Sequence, residues 1–148
     1  MTTESPRKQR VRQVWQEGWG RGEVDVLDEL LDPGYRRHTA SGGAPQSREA
    51  FKASILSTRE AFPDLTTTIE EMVEEGDRIA IRWRSTGTHT GTFHEVPPTG
   101  REVEVFGVTF AHFTGSTVTE EWVTWDPLQL LTALGIIPLS AATRRPAI

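Results

Sequence analysis

From Leu65 to Trp125 side chains alternate in character residue by residue, and only turn-forming stretches interrupt the pattern. A period of two is the mark of β-strands. "LTTTIEEMVEE" alternates up to Gly76-Asp77. "RIAIRWRSTGTHTG" is rich in β-branched and aromatic residues. "TFHEVPPTG" is a loop, and "REVEVFGVTFAHF" and "TVTEEWVTWD" flank the tight turn "TGS". Strands joined by tight turns pair antiparallel, so this stretch predicts a meander.

The preceding residues have helical period. Ser5-Pro6 predicts an N-cap followed by proline at the first helical position. Val11, Val14, Trp15 and Trp19 recur at i, i+3, i+4 and i+8, and "GWGRG" is expected to end that helix. "EVDVLDELL" predicts a short helix stopping before Pro33-Gly34, Tyr35 to Thr39 a short strand, and "ASGGAPQ" a loop. A third helix is expected from about Ser47 to Ala61, stopped at Phe62-Pro63-Asp64. After the last strand, "PLQLLTALG" predicts a short helix with Gly135 just past its C-cap. Helices gathered on one side of an antiparallel sheet make an α+β fold. A curved sheet crossed by helices leaves a blind pocket between them. A chain of 148 residues predicts one domain over 1–148, with 1–4 and 140–148 as loose tails.

The formal charge is −5 with no offsetting basic cluster, so nucleic acid and anionic membrane surfaces are not expected partners. The absence of cysteine excludes disulfides, thiolate catalysis and zinc–thiolate sites. No apolar leader or spanning stretch occurs, and a soluble, cytoplasmic protein is expected. His89 and His94 form H-x4-H, a spacing that matches no strong metal site, and no nucleophile elbow or phosphate loop is present. No metal or other cofactor is expected.

Strand alternation puts Phe106, Phe110 and His112 on one face of their strand, and Trp122, Thr124 and Asp126 on one face of the next. Pairing across "TGS" brings His112 near Trp122. These aromatic residues with one imidazole and one carboxylate are the expected pocket wall. The opposite residues, Val103, Val105, Thr109, Val123 and Trp125, are the expected outer surface. Arg82 and Arg84 flank Trp83 and are expected on a solvated face. Asp126-Pro127-Leu128-Gln129 also fits a helix start, so Asp126 has two readings, cap and acid/base catalyst.

"FPDL", "EGDR", "GTHTGTF", "PPTGR" and "EEW…D…LL…LG", spread over roughly Phe62 to Pro138, resemble the SnoaL-like polyketide cyclase (ester cyclase) family of the nuclear transport factor 2-like superfamily. The resemblance implies a cone-shaped fold and a cofactor-independent enzyme. Such an enzyme closes a ring on an apolar polyketide-type substrate by intramolecular aldol-type acid/base catalysis, in a setting of antibiotic or other secondary metabolism. It assigns Asp126 as general acid/base, His112 as its assistant and His38 as a looser pocket position; Trp83, Phe106, Phe110 and Trp122 are then substrate-binding. The fold implies a homodimer packed sheet to sheet. One departure stands out: Phe110 occupies a position where the cyclase pocket often carries a glutamine-like group. The alternatives are a cofactor-free hydroxylase, another ring-forming or epoxide-opening family member, or a non-catalytic binder of small lipophiles.

Overall fold

A computed structural model describes residues 3–39 and 42–136. Helix α1 (Pro6–Arg21) starts as its sequence directs: Ser5 accepts from the Lys8 amide, and Pro6 occupies the first turn. The helix ends within "GWGRG", as expected, at the last residue of that stretch. That residue is Gly22, whose φ of 75° terminates it. Gly18 is there for space, since a Cβ on it would meet Leu27 Cδ1 at 2.7 Å. Of the predicted loose N-terminal tail, Glu4 is anchored, its carboxylate 2.7 Å from Arg12 Nε. The tail at 140–148 lies outside the described residues.

A 3-10 helix (Val24–Glu29) replaces the expected second α-helix. Strand β1 (Leu31–Thr39) begins earlier than expected and runs through Pro33-Gly34, with a register shift between Leu31 and Arg36. Strand β2 (Gln46–Ser47) precedes α2 (Arg48–Ala61), which Ser47 caps by accepting from Ala50. The predicted meander follows as β3 (Thr66–Glu75), β4 (Arg78–Thr88), β5 (Glu102–Thr114) and β6 (Thr117–Trp125), and α3 (Pro127–Ala133) closes the described chain. Gly135 has φ 76° and donates to Thr132 past the C-cap, as its position predicts.

The six strands form one curved, unclosed sheet in the order β2-β1-β6-β5-β4-β3. All neighbours are antiparallel except β1 and β6. Helices α1 and α2 lie across its concave side, and the core fills the space between: Val11, Val14, Leu27, Phe51 and Ile55 against Ile79, Ile81, Ala111, Val118 and Val123. Burying such side chains stabilises the fold by roughly 1.5–3 kcal/mol each. Arg7 fastens one end. Its guanidinium donates to the carbonyls of Gly76 and Gly115 in the two hairpin turns, pairs with Asp77 at 2.9 Å, and lies over the Phe113 ring.

Candidate functional site

Between the sheet and the two helices lies a cavity of about 240 Å3. The strands give it Trp83, Ser85, Val103, Val105, Val123 and Trp125; α1 gives Trp15 and Trp19, and α2 gives Phe51, Ser54 and Thr58. Phe93 and His94 reach it from the β4–β5 loop. His94 and Glu95 both have positive φ, 44° and 70°, in a two-residue turn closed by mutual Phe93–Val96 backbone hydrogen bonds. Side-chain-bearing residues rarely occupy that region, so the turn holds backbone strain at the cavity edge.

The wall is the opposite face from the one expected. Phe106, Phe110 and Trp122 point outward, 45%, 50% and 39% exposed, and do not line the cavity. Val103, Val105, Thr109 and Val123, expected outside, are buried. The reason lies in volume. Trp83 sits across β4–β5 from Gly107, and a Cβ on Gly107 would be 2.2 Å from Trp83 Cζ2. The indole therefore lies over the glycine, and its Nε1 donates to Thr109 at 3.1 Å. That whole face is closed by rings and helices, and alternation carries the remaining side chains out. Trp83 does line the cavity; Arg82 and Arg84 point out, pairing with Glu71, Glu70 and Glu104.

His38, His112 and Trp122 do come together, but on the outer face. His38 Nε2 is 2.5 Å from Glu120 and its ring stacks on Trp122 at 5.0 Å. The His112 ring lies 4.4 Å from the same indole. Burial first, and then the charge of Arg78 across the strand, lower the pKa of His112; the hydrogen bond from His38 lowers that of Glu120. Asp126 is exposed at the N-cap of α3, its Oδ1 accepting from the Leu128 amide at 2.9 Å. It is not among the cavity's lining residues, although Trp125 before it and Leu130 after it are.

Sequence reasoning missed a buried polar group beside the cavity. On β1, Tyr35, Arg37 and Thr39 share the inward face, and Arg37 lies opposite Glu121 of β6. The Tyr35 hydroxyl donates to Glu121 Oε1, and Arg37 donates to the same oxygen at 3.4 Å. Burial, then the neighbouring carboxylate, push the Tyr35 phenol far up, so it stays a proton-bearing donor. The signal was available in "GYRRHT": if Tyr35 packs inward, alternation takes Arg37 with it and leaves His38 outside. Among the described lining residues Arg37 and His94 are the ionisable ones. The described residues contain no cluster of three or more metal-ligating side chains.

Known proteins carry the same architecture. A SnoaL-like polyketide cyclase from Jannaschia Sp. CCS1, so classed, is 32% identical, with 93% of this chain and 100% of that one aligned at a TM-score of 0.80. AclR from Streptomyces galilaeus, classed as a hydroxylase, is 27% identical over 89% of this chain and 82% of its own, with a TM-score of 0.78. IdmH from Streptomyces antibioticus, classed as a polyketide cyclase, is 28% identical over 88% and 99%, with a TM-score of 0.76. No curated protein matches. The sequence profile of the SnoaL-like polyketide cyclases matches residues 9–134. With its curved sheet and nuclear transport factor 2-like cone, the chain belongs to the SnoaL-like polyketide cyclase family.

Proposed function

We propose that the protein is a cofactor-independent enzyme that closes a ring on a small, flat, polyketide-type substrate by intramolecular aldol-type chemistry. The observation that carries this is the cavity lining: aromatic walls, several hydroxyls, and only Arg37 and His94 as ionisable groups among its described residues. A volume of about 240 Å3 lies below the roughly 300–1,000 Å3 of drug-sized sites, which favours a substrate of one to three rings. In the closure, a base takes the proton α to a carbonyl. The carbanion forms the C–C bond to a second carbonyl carbon, and its oxygen takes up a proton. An imidazole can perform both transfers near neutral pH, and His94 is the imidazole that lines the cavity. The aromatic walls would hold a flexible chain folded for attack.

Asp126, the acid/base the family resemblance implies, enters this reading only if it releases the Leu128 amide to meet substrate. Turnover of a short β-polyketone, followed by chromatography, separates the two bases. His94→Ala is expected to lower kcat by about 100-fold or more, and Asp126→Asn to leave it unchanged. The reverse result returns the role to Asp126. The resemblance to AclR supports a second reading, a cofactor-free hydroxylation. Product oxygen labelled from O2 would establish it and overturn the aldol closure.

A homodimer belongs to the same reading. The outward Phe106, Phe110 and Trp122, flanked by ion pairs, suit a second copy of the sheet. Sedimentation of Phe110→Lys is expected to give monomer where the unaltered protein gives dimer. A monomeric wild type would dismiss the idea.

A further inference from the structure

We infer that the cavity selects ligands bearing an ionised oxygen, a carboxylate or an enolate, on a flat apolar body. Arg37 is the docking point, and Glu121 and Tyr35 hold it there. The inference rests on the cavity being the substrate site, as proposed above.

Arg37 is a permanent cation with five donor N–H groups. Its side chain is only 13% exposed, yet it borders the cavity. Its hydrogen bond to Glu121 is 3.4 Å, at the weak limit of such contacts. The Tyr35 hydroxyl is its other polar neighbour, and five N–H groups outnumber these two partners. The guanidinium carbon lies 4.1 Å from the Phe51 ring centroid, a cation–π contact that uses no donor.

Glu121 offsets this charge only in part, from the side away from the larger cavity. Its Oε1 is also bonded by Tyr35. Glu121 borders a separate, smaller cavity of about 40 Å3, which Arg37, Trp15, Trp19 and Phe51 divide from the larger one. A molecule in the larger cavity therefore faces the cation and not its counter-ion. No carboxylate is among the described residues lining that cavity, so nothing there repels an anion. A planar fork facing an apolar chamber fits a planar, two-oxygen anion best. In the proposed reaction the enolate of a 1,3-dicarbonyl unit is such a group, and Arg37 would hold its charge as the α proton leaves.

The test is isothermal titration with 2-naphthoate and with 2-acetonaphthone, a neutral ketone on the same ring system. The native protein is expected to bind naphthoate about tenfold or more tighter. Arg37→Met should abolish that preference and keep the ketone affinity within about threefold. Tyr35→Phe, acting through Arg37, should shrink the preference without changing ketone affinity. A purely structural role would weaken both ligands together. If Arg37→Met does not fold, as circular dichroism would show, Arg37→Lys replaces it and should reduce the preference through loss of the fork. Equal binding of both ligands by the native protein, or a preference untouched by every Arg37 variant, overturns the inference and leaves the cavity as the substrate site. Binding of neither overturns that site as well.

Discussion

The concave and convex faces of the sheet are made by the same strands and carry much the same residue types. The concave face presents Trp83, Val105, Val123 and Trp125; the convex face presents Val73, Phe106, Phe110 and Trp122. What differs is what surrounds each. Concave rings are covered by α1 and α2 and interlock with Gly107. Convex rings stand among Arg82, Arg84, Glu70, Glu71 and Glu104. Hydrophobicity therefore does not distinguish the faces. A glycine in mid-strand and ion pairs across strands do, because one marks crowding and the other marks water.

The largest effects are expected where crowding is greatest. Gly107→Val places carbon where Trp83 already is, 2.2 Å from a Cβ at that position. The indole cannot move without displacing the cavity wall, and a loss of about 3 kcal/mol is expected. Met72→Ala, on the same face and 7% exposed, opens a void and should cost about 2 kcal/mol or more. Urea unfolding midpoints check both. A Gly107→Val protein as stable as the native one would show that the two faces are not packed differently.

These positions also show what the sequence discloses. The order of the long helices and of the meander strands, the Ser5 and Ser47 caps and the hairpins at Gly76 and Gly115 follow from local rules, and the structure has them. The side on which the helices settle is a long-range matter, decided by how rings, glycines and helix faces fit. "VEVFGVTFAHF" is apolar on both faces, so its alternation is clear and its direction is not. The bulge of β6 next to Val118 adds to this: Val118 and Glu121 are both buried, which strict alternation forbids. The Arg37–Glu121–Tyr35 group joins strands β1 and β6, far apart in sequence, and their parallel pairing has no local signal. The convergence of His38 and His112 on Trp122 was within reach of strand parity; its placement outside the cavity was not.

Asp126 stands at the border of the two faces, and its expected effect is intermediate. It caps a helix of 7 residues. Asp126→Ala removes the acceptor for the Leu128 amide and should cost about 1 kcal/mol, whereas Asp126→Asn should cost almost nothing. Thermal melting compares them. Equal losses would mean that the charge, not the cap, is what the fold uses there.

Acid should act on the convex face in two separate windows. The pKa of His112 is lowered from 6.5, so the unfolded chain takes up a proton before the folded one does. Stability is then unaffected at higher pH and declines as pH falls from about 6.5. Glu120 is lowered from 4.5; its contribution is present above that value and is lost as pH falls through its folded pKa. His112→Gln should flatten the first decline and leave the second. Urea midpoints followed from neutral pH to about pH 2.5 would show the two steps, and a first decline that survives in His112→Gln would assign it elsewhere.

The smallest effect is expected at Val73, the neighbour of Met72 in sequence and its opposite in setting. Val73 is 58% exposed and lies beside Ala80, in the same outward row as Phe110 and Trp122. Val73→Thr keeps the β-branched shape that a strand favours and exchanges a methyl for a hydroxyl already in reach of water. A change within about 0.5 kcal/mol is expected in the isolated chain. Measured over a range of protein concentration, the same variant also tests the proposed dimer. If a second copy covers this row, the hydroxyl becomes buried in the assembly, and the loss should appear only at concentrations where the native protein is dimeric. A loss at every concentration would mean that Val73 is covered within one chain, against the exposure that separates it from Met72.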